Sequence, residues 1–213
     1  TGIAKGAGMI RPDMATMLSF LATDAPVTPA LLQSLLREAV DSSFNRITID
    51  GDTSTNDAVT LVATGHAPMA PLEDREDPRV VAFAARLSSL CRYLAQSIVR
   101  DGEGATKFVT VAVAEARTEG EALQAAYTIA HSPLVKTALF AGDPNWGRIL
   151  AALGRAGMGD LAVEGVRLEI NGLLIAEGGA LAPSYREADG AAVMKAAELT
   201  LSLSLGRGEA VGE

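Results

Sequence analysis

The stretch of residues 5–21 constrains this chain more than any other, because it joins a glycine-containing turn to a short apolar run. Pro12 disfavours a helix through the residue before it, so the turn cannot continue as a helix. The apolar run over residues 16–22 is short and predicts a strand that is buried on both faces. Thr16 is therefore expected at the point where an irregular loop enters a core strand.

The hydroxyl group of Thr16 has two interpretations. In one, Thr16 is an ordinary β-branched strand residue. In the other it is a nucleophile, and cleavage of the preceding peptide bond frees its own α-amine as the base. The pKa of a free α-amine is about 7.7–8.0, close to working pH. His66 and His131 lie apart, with no Cys or Asp at ligand spacing, which favours the α-amine over a histidine base.

Four segments carry a resemblance to a known family. The pattern Lys-Gly-x-Gly-Met-Ile-x-Pro-x-Met-Ala-Thr-Met-Leu resembles the self-cleavage segment of the ornithine acetyltransferase family, also called glutamate N-acetyltransferase. The segments Asp-Gly-Asp-Thr-Ser-Thr-Asn-Asp, Ser-Pro-Leu-Val-Lys-Thr and Asp-Pro-Asn-Trp-Gly-Arg extend the likeness over nearly the whole chain. The resemblance implies self-cleavage between Ala15 and Thr16, after which Thr16 is the N-terminal nucleophile. It also implies that Lys5 binds the α-carboxylate of the substrate and that Glu103 pairs with its ammonium group.

The activity that this resemblance implies is a ping-pong acetyl transfer in arginine biosynthesis, from N-acetylornithine to glutamate through an acetyl-threonine enzyme. It implies no cofactor, and leaves open whether acetyl-CoA is an additional donor. Two alternatives remain: an aminopeptidase or amidase of the same architecture, and an inactive fragment that binds a partner. The implied partner is a companion α chain in an α2β2 heterotetramer, and the implied location is the cytoplasm.

The implied fold is an α/β protein with a four-layer αββα sandwich and a smaller C-terminal α/β domain. We expect residues 1–15 to be the end of the α segment, residues 16–117 the catalytic part of the β chain, and residues 118–213 the smaller domain. The oxyanion-hole residues and the C-terminal Asn and hydroxyl residue of the family have no counterpart here. The chain therefore reads as the end of the α segment plus most of the β chain.

Hydrophobic spacing and turn residues predict the individual elements. Helices are predicted over residues 29–43, 80–100, 119–129, 145–154 and 188–200, and strands over residues 44–50, 58–63, 108–113 and 201–205. Strands 44–50 and 58–63 are expected to pair as neighbours. Asn171-Gly172 is the strongest short hairpin signal and predicts a hairpin around it.

Composition excludes several function classes. The formal net charge of −8, without a basic run, argues against a nucleic-acid surface. No apolar run of about 18 residues is present, so no membrane span is predicted. The lone Cys91 excludes an internal disulfide and fits a reducing compartment. The acidic cluster at residues 50–57 could hold a metal, but it departs from the calcium-loop template, and a hydrogen-bonded loop beside the active site is favoured.

Overall fold

The computed structural model describes residues 1–6, 10–11, 17–52 and 56–213. Its contacts divide the chain into two compact units, Thr1–Ala105 and Thr106–Glu213. Each unit packs helices on a sheet, so the α/β class is confirmed. Among the described helices none is long and apolar enough to cross a membrane.

The sheet of the first unit has three strands: β1 (Gly2–Lys5), β2 (Leu18–Thr23) and β3 (Ala58–Ala63), in that spatial order. β1 runs antiparallel to β2, and β2 runs parallel to β3. Every residue of β2 pairs with the residue 40 positions later in β3, beginning with Leu18 opposite Ala58. This constant offset continues beyond the strands and matters for the site.

Two helices cover one face of this sheet: α1 (Pro29–Asp41) and α2 (Pro78–Arg100). Leu21 of β2 is 2% exposed beneath them, whereas its neighbour Phe20 is 52% exposed. The expectation that this strand is buried on both faces is therefore wrong. Among the described residues helices pack on one face only, and the pleat turns alternate side chains to the other face.

The predicted strand over residues 44–50 is also wrong. The chain forms a 3-10 turn at Phe44–Arg46 directly after α1, with the side chain of Phe44 fully buried. The turn is closed by the backbone N–H of Arg46, which donates to the carbonyl of Ser43 at 2.9 Å. β3 pairs instead with β2, a partner far away in the sequence.

The second helix begins two residues earlier than predicted, at Pro78, where Asp77 caps it. On this helix Val81 is 58% exposed, while Cys91 is fully buried. Burial raises the pKa of the Cys91 thiol to about 11. After the helix, Gly104 takes the left-handed conformation, with φ of 70°.

The second unit is built on a six-stranded sheet. Its strands are β4 (Phe108–Ala116), β5 (Arg167–Ile170), β6 (Leu173–Glu177), β7 (Ala180–Leu181), β8 (Glu198–Ser204) and β9 (Ala210–Gly212), in the order β7-β6-β5-β8-β4-β9. The predicted hairpin is confirmed, with Asn171 and Gly172 at φ of 48° and 80° between β5 and β6. β4 pairs with β8 and β9 and so lies in this unit, whereas the sequence placed it in the first domain.

Four helices complete the second unit: α3 (Glu119–Ala130), α4 (Pro133–Ala141), α5 (Trp146–Leu153) and α6 (Glu187–Val193). Ile129 of α3 and Leu153 of α5 are buried against Leu168 and Leu201 of the sheet. α6 ends seven residues before the predicted limit at residue 200, because β8 begins at Glu198.

Candidate functional site

A cavity of about 470 Å³ in the first unit brings together two of the predicted site residues. Lys5, at the end of β1, and Glu103, just after α2, both line it. They are 98 positions apart in the sequence, so only the packing of β1 against α2 places them in one cavity. The volume lies in the range of small-molecule sites, which is about 300–1,000 Å³.

Gly6 is the residue that lets the end of β1 approach α2. A Cβ built at this position would lie 2.5 Å from Cγ2 of Ile98, well inside van der Waals contact. Ile98 is 7% exposed and lies on the inward face of α2. The absence of a side chain at position 6 therefore brings Lys5 to the rim of the cavity.

The charges on the rim have a pattern that suits a zwitterion. Lys5 supplies a cation, and Asp101 and Glu103 supply carboxylates, all on exposed residues. A ligand with a carboxylate at one end and an ammonium group at the other can pair with both kinds of group. The apolar wall between them includes Leu94 and Ile98. The arrangement therefore suits a small zwitterion such as an amino acid.

Ala15 and Thr16, the predicted cleavage site and nucleophile, lie outside the described residues. Among the described residues before and after them, Ile10 and Met17 are 0% and 1% exposed. Both are held by hydrogen bonds to backbone and carboxylate groups of residues 49–58. We call the hydrogen bonds at Ile10 and those at Met17 the two flanking contacts.

The first flanking contact holds Ile10. Its N–H donates to Oδ1 of Asp50 at 3.0 Å, and its carbonyl accepts from the N–H of Ile49 at 2.7 Å. Oδ1 of Asp50 also accepts from the N–H of Asp52 at 2.9 Å. Oδ1 of Asp50 thus holds the backbone of Ile10 and that of its own loop together.

The second flanking contact holds Met17. Its N–H donates to Oδ1 of Asp57, and its carbonyl accepts from the N–H of Ala58 at 3.0 Å. Asp57 and Asp50 each lie 40 positions after the residue that they bind, the same offset as between β2 and β3. The same offset of 40 positions therefore holds at both flanking contacts.

Sequence reasoning missed Asp57 as a site residue. The cluster at residues 50–57 was expected to be a hydrogen-bonded loop, but no individual member was assigned a role. The signal lay in the strand register, which puts the residue before Ala58 beside the residue before Leu18. That register is a long-range property and cannot be read from local spacing.

The loop at residues 50–57 is described at residues 50–52 and 56–57. Among the described residues no group of three or more His, Cys, Asp or Glu side chains is arranged to hold a metal ion. Two backbone N–H groups already donate to Oδ1 of Asp50. His66 lies in the first unit and His131 at the end of α3 in the second, next to the ring of Tyr127.

The motifs of the second unit have structural roles. Ser132 caps α4 and Asn145 caps α5, the latter accepting from the N–H of Arg148 at 3.1 Å. The guanidinium of Arg148 donates to the carbonyl of Leu134 at 3.0 Å and ties the two helices together. Trp146 packs against the core.

Comparisons with known proteins agree on one family. A model described as the ArgJ family matches residues 1–213. The arginine biosynthesis bifunctional protein ArgJ of Neisseria meningitidis serogroup A is 55% identical over 210 residues, covering 99% of this chain and 52% of that protein. Its namesake from Pseudomonas syringae pv. tomato is 54% identical over 209 residues, covering 98% and 52%.

A solved structure is also similar. The crystal structure of arginine biosynthesis bifunctional protein ArgJ from Bacillus halodurans is 39% identical, with a TM-score of 0.86 over 92% of each chain. The present chain spans about half the length of the curated relatives that it matches, 52% in both cases above.

Proposed function

This chain belongs to the ArgJ family, and we propose that it carries the nucleophile and substrate-binding residues of a glutamate N-acetyltransferase of arginine biosynthesis. The observation that carries the proposal is the cavity shared by Lys5 and Glu103. Its opposite charges match N-acetylornithine, which carries a free α-carboxylate and a cationic side-chain ammonium group, while its α-nitrogen is in the neutral amide of the acetyl group.

In the proposed reaction, the peptide bond between Ala15 and Thr16 is first cut by the chain itself. The freed α-amine of Thr16 takes the proton of its own hydroxyl, and the hydroxyl oxygen attacks the acetyl carbonyl. The tetrahedral intermediate collapses to an acetyl-threonine ester, and ornithine leaves with the proton on its amine. The amine of glutamate then attacks the ester, which returns Thr16 to its starting state and releases N-acetylglutamate.

Lys5 and Glu103 bind and orient the substrate in this scheme. Lys5 pairs with a carboxylate of the substrate, and Glu103 pairs with an ammonium group. Donors to the oxyanion of the tetrahedral intermediate would come from the companion α segment, at about 2.7–4 kcal/mol for each donor. The scheme uses no metal and no resident cofactor; acetyl-CoA would enter only as an alternative acetyl donor.

A companion segment is supported by the outer face of the first sheet. Ile3 is 69% exposed, and Phe20 and Val62 are each 52% exposed. Ile3 pairs directly with Phe20, and Val62 pairs with Ala22, two positions after Phe20, so the three side chains share one face. We propose that the α segment packs on this face as the second sheet of the sandwich, in an α2β2 assembly. The cytoplasm is the proposed location, in keeping with the single buried thiol of Cys91.

The experiment that tests the proposal is the intact mass of the full-length protein before and after addition of N-acetylornithine. We expect a chain that begins at Thr16 and gains the mass of one acetyl group, which glutamate then removes. Thr16→Ala should stay uncut and gain nothing. An uncut wild-type chain without an adduct, or a Thr16→Ala chain that is still cut after Ala15, would overturn the mechanism.

Release of acetate in place of N-acetylglutamate would identify a hydrolase. The same reaction mixture resolves this, because both products can be quantified after glutamate is added.

A further inference from the structure

The cavity that contains Lys5 and Glu103 has more negative than positive groups in its wall. Among the described residues that line it, Lys5 is the one cation, whereas Asp101 and Glu103 are both carboxylates. The residues outside the described ranges include no Lys, Arg or His, so they add no second cation from this chain. This chain therefore gives the cavity an excess of negative charge.

The end of α2 adds to that excess. Ser97 and Ile98, in the last turn of the helix, line the cavity, and Asp101 caps the helix. The N–H of Asp101 donates to the carbonyl of Ser97 at 3.0 Å, which fixes its backbone at the helix end. The carbonyl groups at a helix C-terminus carry a partial negative charge of about half an elementary charge, which favours cations nearby. This wall of the cavity therefore attracts a cation and repels an anion.

Gly102 brings the two carboxylates to this wall. A Cβ at position 102 would lie 3.1 Å from the carbonyl oxygen of Val99 and 3.1 Å from Cδ1 of Ile49. The absence of a side chain lets the backbone turn closely around the helix end. The Cα atoms of Asp101 and Glu103, on either side of Gly102, are at most about 7 Å apart. That distance is below the screening length of about 8 Å at physiological salt, so both carboxylates act on the same part of a ligand.

The two amino acids of the proposed reaction carry opposite charges at one point of their side chains. Ornithine and glutamate share the α-carboxylate and the α-nitrogen. The side-chain nitrogen of ornithine and the side-chain oxygens of glutamate are separated from Cα by the same number of bonds. With the α-groups placed alike, an ammonium group and a carboxylate therefore reach the same part of the cavity. Protein carboxylates that attract the first group repel the second.

We propose that Asp101 is a specificity-determining residue of this cavity, which favours a side chain that ends in an ammonium group over one that ends in a carboxylate. The proposal rests on the proposed function, which supplies the two amino acids. Lys5 does not discriminate between them, because it pairs with the α-carboxylate that both carry. Asp101 adds its charge to that of Glu103, so the cavity binds ornithine more tightly than glutamate.

The substitution Asp101→Asn tests this role, because it keeps the size of the side chain and removes its charge. Glu76→Gln is the matched control, since it removes one exposed carboxylate just before the other end of α2. The helix has 23 residues and a length of about 35 Å, far beyond the screening length. Both variants are made in the full-length protein, and equal melting temperatures exclude a difference in folding.

The measurement is the Kd of ornithine, glutamine and glutamate by calorimetry. Glutamine has nearly the shape of glutamate and an uncharged end, so it reports every contribution except the charge. In the wild type we expect ornithine to bind most tightly and glutamate least tightly. Asp101→Asn should raise the Kd of ornithine about threefold and lower that of glutamate about threefold, with glutamine unchanged, as expected for one exposed charge. Glu76→Gln should leave all three values at the wild-type level.

A merely structural role of Asp101 would move all three Kd values in the same direction, and that result would overturn the inference. An unchanged Kd of glutamate in Asp101→Asn would overturn it as well. These measurements need no turnover. The absence of an acetyl adduct in the intact-mass experiment would therefore overturn the proposed function separately.

Discussion

Replacing Gly6 by alanine would press a methyl group into the inward face of α2. The new Cβ would lie 2.5 Å from Cγ2 of Ile98 and 3.3 Å from Cδ1 of Ile10. Ordinary carbon contacts are about 3.5–4.0 Å, so the strand end or the helix must shift by about 1 Å. Ile98 is β-branched and stiff at χ1, which leaves it little freedom to turn away.

The net effect follows from two opposing terms. Overpacking of a core costs about 1–3 kcal/mol. Alanine restricts the unfolded chain more than glycine does, which returns about 0.4–1 kcal/mol. We therefore expect Gly6→Ala to lower the free energy of unfolding by about 1–2 kcal/mol. Because Lys5 is the preceding residue, KM for the substrate should rise as well.

Urea unfolding of the full-length protein measures the change in the free energy of unfolding. Two substitutions of Ile98 provide matched double mutants. Ile98→Val keeps a methyl group at the Cγ2 position, whereas Ile98→Ala removes it. In the double mutant of Gly6→Ala with Ile98→Ala, the losses in the free energy of unfolding should sum to about 1 kcal/mol less than the two single losses together. In the double mutant with Ile98→Val, the two losses should be additive. Gly6→Ala at or above wild-type stability, or additivity in both pairs, would refute the steric argument.

Two further predictions concern charged groups. Glu103→Gln should raise KM for N-acetylornithine roughly fivefold with kcat preserved, as expected for the loss of one exposed charge pair. Asp101→Asn, on the same rim, should raise KM less. Equal effects of the two substitutions on KM would mean that Glu103 has no specific role. Hydrogen bonds from the guanidinium groups of Arg207 and Arg117 lower the pKa of Asp160 to about 2. The stability that this carboxylate contributes is present above its unfolded pKa of about 3.9 and is lost as the pH falls towards 2. The unfolding midpoint of Asp160→Asn should therefore depend less on pH in that window, and an unchanged slope would contradict the assignment.

Elements defined by local chemistry could be predicted from the sequence. The helix at Pro29 begins where a proline occupies the first helical position, and the hairpin at Asn171 and Gly172 uses two residues that tolerate positive φ. Such signals lie within a few residues of the element that they define.

Elements defined by long-range pairing could not be predicted from the sequence. Residues 44–50 alternate like a strand, but burial of Phe44 under the helices closes the chain into a turn. The partner of β3 is β2, 40 positions earlier, and no local pattern specifies that pairing. The exposure of Phe20 likewise depends on which face of the sheet the helices cover, and no local pattern specifies that face.

The candidate site divides in the same way. Lys5 and Glu103 were predicted by resemblance, and the fold places both on one cavity. Their roles in binding substrate remain predictions, as does that of Thr16, which lies outside the described residues. Asp57 was missed because its importance comes from the register of β2 and β3.

The constant offset of 40 residues also bears on folding kinetics. Each flanking contact closes a chain loop of 40 residues. The chain loses the conformational entropy of such a loop before the contact contributes any stabilising free energy. We expect Met17 to meet Asp57 only when β3 pairs with β2, because the two residues directly precede those strands. If self-cleavage needs that contact, a chain caught partway through folding keeps its peptide bond intact. The appearance of a new N-terminus would then mark the completion of folding, one molecule at a time.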